Sequence, residues 1–127
     1  MNNKETGKFG EDIAVKYLIK NGYLILTRNH REKFDEIDII ARKRDTTLIF
    51  CEVKTIFGFS ESNQIYEHFM PEDHVGSLKM KRMLRGANIF LSKYPHLIHE
   101  ERGWQLDLIA ITLRDNNVAD IRHYENI

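Results

Sequence analysis

The chain has 127 residues, 42% of them hydrophobic and 30% charged, which suits one compact α/β domain over residues 1–127 and is the composition of a globular rather than a disordered protein. No apolar run approaches the roughly 20 residues needed to cross a membrane, the start Met1-Asn2-Asn3-Lys4-Glu5 lacks the apolar stretch of a secretory signal, and a single cysteine, Cys51, cannot make an internal disulfide. No membrane partner and a reducing, cytoplasmic location are therefore expected, while a formal net charge of zero argues against a uniformly basic surface.

The elements follow in chain order. Thr6 can cap a helix from about Gly7 to Lys20, with Phe9, Ile13, Ala14, Tyr17 and Leu18 as its apolar stripe and Asn21-Gly22 as its stop. Tyr23 to Thr27 reads as a first strand, Glu36 to Arg42 as a second and Thr47 to Lys54 as a third. Asp45 and its neighbours turn the second strand into the third, so these two form a hairpin. Residues 56 to 70 break all periodicity and read as a loop. A second helix starts between Pro71 and Gly76 and runs through Lys93, its apolar face being Met80, Met83, Leu84, Ala87, Phe90 and Leu91. Tyr94-Pro95 ends it. Trp104 to Leu113 is a fourth strand, and Asp115-Asn116-Asn117 leads to a fifth, Val118 to Tyr124. The order predicts a mixed sheet of about five strands flanked by helices.

Charge is unevenly spread. There is no acid between Asp73 and Glu100, where Lys79, Lys81, Arg82, Arg85 and Lys93 fall. Arg28, Arg31 and Lys33 form another basic group, whereas Asp35, Glu36, Asp38 and Glu52 are gathered acids. A basic rim around an acidic centre and solvated helix faces both account for this pattern.

The hairpin places chemistry. A turn centred on Asp45 opposes Asp38 and Glu52, each seven residues from it. Directly opposed residues have Cβ atoms about 5 Å apart. Lys54 lies on the same strand face as Glu52. Two facing carboxylates repel, and a divalent cation between them relieves the repulsion because hard cations take oxygen ligands. A salt bridge from Lys54 to Glu52 or Asp38 is the commoner reading of so short a pattern. Glu11 could reach toward the strand ends as a third acid, or simply face water at the start of its helix. Cys51 alternates away from Glu52 and reads as a buried, inert thiol. The histidines His68, His74, His96, His99 and His123 show no zinc-ligand spacing. Phe57, Phe59, Tyr66 and Phe69 read as packing or dimer residues, with base stacking as the alternative.

Taken together, Gly7-Lys8-Phe9-Gly10-Glu11-Asp12-Ile13-Ala14, Gly22-Tyr23, Arg28-Asn29-His30-Arg31, Glu36-Ile37-Asp38, Phe50-Cys51-Glu52-Val53-Lys54 and Lys79 resemble the YraN-like family of predicted endonucleases, distantly similar to archaeal Holliday-junction resolvases. The resemblance implies a restriction-endonuclease-like fold and a PD-(D/E)XK site with Glu11, Asp38, Glu52 and Lys54 as catalytic residues. It implies one or two Mg²⁺ or Mn²⁺ ions on Asp38, Glu52 and the Val53 carbonyl. It implies DNA as substrate, with RNA as the alternative, gripped by Arg28, Arg31, Lys79, Lys81, Arg82 and Arg85. A homodimer is what the resolvase likeness suggests. A non-catalytic nucleic-acid-binding or scaffolding domain on the same fold is the alternative function. Three positions depart from the family pattern: Asp35 for a glycine, and Ile56 and Gln105 for arginines.

Overall fold

Asn2, not Thr6, opens the first helix. Its side chain accepts from the Glu5 backbone N–H at 2.8 Å, and Glu5 answers the Asn2 N–H, a reciprocal capping box that satisfies two helix-start donors. Helix α1 therefore runs Asn3–Lys20, one turn longer than expected from Thr6, whose hydroxyl donates instead to the Asn2 carbonyl at 2.9 Å. The structure, a computed structural model, describes residues 1–57, 75–115 and 117–127. The remaining elements are β1 (Leu24–Glu32), β2 (Asp35–Arg42), β3 (Leu48–Phe57), α2 (Ser77–Lys93), a 3₁₀ turn (Pro95–Leu97), β4 (Trp104–Arg114) and β5 (Asn117–Tyr124).

The five strands form one sheet in the order β1-β2-β3-β4-β5. Neighbours run antiparallel except β3 and β4, which are parallel and joined through α2. This is the mixed α/β architecture predicted from the element order. Two strand ends differ from the sequence reading by more than one residue. β1 extends five residues past Thr27 because it pairs with all of β2, an arrangement that local apolarity does not report. β3 continues through Ile56 and Phe57, which the sequence assigned to the loop, because β4 supplies apolar partners as far as Leu113. Phe59, Tyr66, Phe69, His68 and His74 lie outside the described residues.

One layer of core lies on each side of the sheet. Ala14 and Leu18 of α1 cover Ile39, Ala41, Ile49, Cys51, Ile109 and Ile111. Met83, Ala87, Phe90 and Leu91 of α2 cover Ile37, Ile40, Phe50 and Leu108. Leu84 was expected on that face but is 45% exposed. The buried arc of α2 is centred on Met83, Gly86 and Ala87 and leaves Leu84 at its margin. Among the described residues no helix is long and apolar enough to cross a membrane.

Candidate metal centre

The β2–β3 register has the sum predicted from the turn: Ile39 pairs with Cys51 and Ile40 with Phe50, so the next step sets Asp38 opposite Glu52. The backbone ladder stops there. Val53 N–H, which a continuing ladder would direct at β2 backbone, donates instead to Asp38 Oδ2 at 2.8 Å. The carboxylate thus completes β3 where β2 leaves it, and that bond fixes the carboxylate's position.

Glu11 arrives from the other layer. Helix α1 packs chiefly on β3, and the approach is tight at Gly10. A Cβ placed there would lie 1.8 Å from Thr55 Oγ1 and 3.0 Å from Thr55 Cβ. The glycine is needed for that contact, and the next residue, Glu11, is carried toward Asp38.

Electrostatics links Asp38 to each of the other two acids. The Glu52 carboxyl is pushed up to about 7, first by burial and then by the Asp38 charge. Asp38 is also raised by burial, although the Val53 N–H and Lys79 pull it back. Glu11 is raised by burial and by Asp38, while Arg28 and the Asn29 side chain oppose the shift. Two carboxylate oxygens, Glu11 Oε1 and Glu52 Oε2, are buried without a hydrogen-bond partner among the described residues. Glu52 Oε2 does lie 3.4 Å from Lys79 Nζ, an ion pair lacking hydrogen-bond alignment. Unpartnered buried carboxylate oxygens are costly. An all-oxygen, anionic donor set with open valences suits a hard divalent cation.

The cations fall into three groups. Lys54 is exposed on β3 and makes no ion pair among the described residues, so the salt bridge considered from sequence does not form. Lys79 replaces it as the partner of Glu52. On α2, Lys81 and Arg82 are exposed, but Arg85 is held by both oxygens of Asp35 at 2.7 and 2.8 Å. Asp35 is 5% exposed. Asp35 is therefore neutralised beneath α2. On β1, Arg28 binds Asp12 at 2.6 Å, and Arg31 lies 3.7 Å from Glu36 and is 80% exposed.

Sequence reasoning missed a second polar cluster. Asp107, fully buried, accepts from His123 Nε2 at 2.7 Å, from the Asn126 N–H at 3.0 Å and from Gln105 at 2.9 Å. His123 Nδ1 meets the Tyr17 hydroxyl at 3.0 Å, and Glu125 binds Lys43 at 2.8 Å. Asp107, His123 and Glu125 present ligand atoms within 4.8 Å of one another, close enough to hold a metal ion. Each already has a protein partner, which suits a structural clamp joining α1, β4 and β5. Asp107 in an otherwise apolar strand was the signal available in the sequence. Gln105 belongs to this clamp through its bond to Asp107. Cys51 is fully buried, and its thiol is pushed well above the ordinary value by burial, as an inert side chain would be.

The profile of Uncharacterised protein family UPF0102 matches residues 10–111. A UPF0102 protein of Dictyoglomus turgidum is 40% identical over 113 residues, 89% of this chain and 86% of its own. One from Chlorobium phaeobacteroides is 40% identical over 121 residues, 95% and 87% of the two chains. Another from Caldicellulosiruptor bescii is 37% identical over 122 residues, 95% and 94%. Among solved structures, Pyrococcus furiosus SfsA in complex with Ca²⁺ aligns with 98% of this chain at 15% identity and a TM-score of 0.36; this chain spans 64% of that one.

Proposed function

The chain belongs to the UPF0102 family, and from that premise we propose that it is a metal-dependent phosphodiesterase, an endonuclease acting on DNA. One observation carries the reading: Glu11 Oε1 and Glu52 Oε2 are buried without a hydrogen-bond partner among the described residues, and the Asp38 charge between them raises both carboxyls. Such a set is unfavourable by itself and becomes favourable around a cation.

Asp38, Glu52 and the Val53 carbonyl are the groups that would hold Mg²⁺ or Mn²⁺. Glu11 stands behind them as an acceptor for a bound water. The cation supplies Lewis acidity toward a phosphoryl oxygen and lowers the pKa of water. The protein does the positioning. Val53 N–H holds Asp38 in place, and Lys79 partly neutralises Glu52. Lys54, exposed two residues along β3 from Glu52, is free to reach a scissile phosphate and stabilise the charge that develops on it. The test is cleavage of plasmid and branched DNA with Mg²⁺ or Mn²⁺. Asp38→Ala and Lys54→Ala should each lose about a hundredfold or more. Equal activity in all three proteins would sink the assignment.

A further inference from the structure

We propose that a nucleic-acid strand reaches the acids along a groove on the α1 side of the sheet, with its phosphates on Lys4, Lys8, Arg28 and Arg31. The inference rests on the endonuclease reading above and names the surface that serves it. The groove, of about 650 Å³, is walled by α1 and β1 and reaches Glu11. Four cations line it, with Glu11 and Glu36 as its acids. Lys4 and Lys8 are exposed and have no ion-pair partner among the described residues. Arg31 is held only weakly by Glu36. Arg28 is bound to Asp12 at 2.6 Å. On α2, Lys79, Arg85 and Lys93 are bound to Glu52, Asp35 and Glu32, while Lys81 and Arg82 are exposed and form the competing surface.

Gly7 supplies the second, independent observation. Residues 4, 7, 8 and 11 share one face of a helix. Glycine within a helix is unfavourable relative to alanine. At Gly10 the fold explains it, since Thr55 fills the space. At Gly7 nothing does, because an added Cβ would meet no atom within 4 Å. The missing side chain lies between the two lysines and Glu11, where it leaves room for a strand. A local rule broken without a packing reason marks a functional position.

Charge along the groove adds a condition. Phosphates are attracted by the four cations and repelled by Glu11 and Glu36. Entry to the inner end therefore needs a divalent cation on the acids.

Fluorescence anisotropy with labelled duplex and single-stranded DNA tests this, with Ca²⁺ in place of Mg²⁺ to limit cleavage. Lys4→Ala/Lys8→Ala should weaken binding on the order of tenfold and reduce the slope of log K against log salt by about 2. Lys16→Ala/Lys20→Ala, which removes equal charge from the other end of α1, should leave both unchanged. Gly7→Glu should fold at least as stably as the wild type and lose binding. Groove variants that bind like the wild type overturn the proposal, as does a slope reduced only in Lys81→Ala/Arg82→Ala, which would route the strand over α2. If Asp38-dependent cleavage survives in that case, the endonuclease reading stands without the groove. If the groove variants lose binding but the wild type cleaves nothing, the groove stands and the endonuclease reading fails.

Discussion

Glu52 is the residue whose environment most directly exposes the proposed chemistry. Its carboxyl ordinarily titrates at 4.5 and here at about 7. A raised folded-state pKa stabilises the fold fully below the unfolded value, and that stabilisation is lost as the pH climbs through the folded one. The window is thus from 4.5 to about 7. Each unit corresponds to about 1.4 kcal/mol, so Glu52 accounts for about 3 kcal/mol lost across it without metal. Glu11 and Asp38 shift in the same direction, whereas Glu32 and Asp35, lowered by Lys93 and Arg85, act oppositely. The difference between proteins isolates Glu52. In urea denaturation, Glu52→Gln should gain stability over the wild type as pH rises through this window. A difference that does not change with pH would show that Glu52 ionises as it does in water.

At the scale of elements, the decisive contact is the crossing of α1 over β3. Two glycines three residues apart on one helix should respond oppositely to the same substitution. Gly10→Ala sets a Cβ into Thr55 and should destabilise the protein by about 1–3 kcal/mol. It should also lower cleavage, because Glu11 moves with the helix. Gly7→Ala meets open space and should stabilise by up to about 1 kcal/mol. Thermal melts of the two variants check the pair, and equal destabilisation would remove the distinction between a packing glycine and a groove glycine. The clamp of Tyr17, His123 and Asp107 fixes the same helix from its other end, so α1 is anchored on both sides of the sequence that carries Glu11.

For the whole molecule, ligand linkage is the test. A cation that binds only the folded state stabilises it by about 2.7 kcal/mol at a hundred times its Kd. Mn²⁺ should raise the Tm of the wild type and not that of Asp38→Ala. The rise should be larger above pH ~7 than near pH ~5, since ligating carboxylates must be ionised. A rise that survives in Asp38→Ala and vanishes in His123→Ala would place the ion at Asp107, His123 and Glu125 instead. The zero net charge of the chain does not oppose nucleic-acid binding, because the buried acids Asp35 and Glu32 are matched by α2 cations while Lys4 and Lys8 have no ion-pair partner among the described residues.

Much of this was written into local sequence. Apolar stripes, the Asn21-Gly22 stop, Pro95 and the Asp45 turn determine the element order, because periodicity and turn chemistry act over a few residues. The turn alone set Asp38 opposite Glu52. What tertiary structure decided is which charges meet. Lys54 lies two residues from Glu52 on the same strand, yet Lys79 takes that partner from another layer. Arg85 and Asp35 are fifty positions apart and form one ion pair. Glu11 is an ordinary helix glutamate until Gly10 lets its helix close on Thr55. Side-chain charge is visible in a sequence, but burial and the identity of the partner exist only once the layers are assembled, and those two quantities turn three scattered acids into a candidate metal centre.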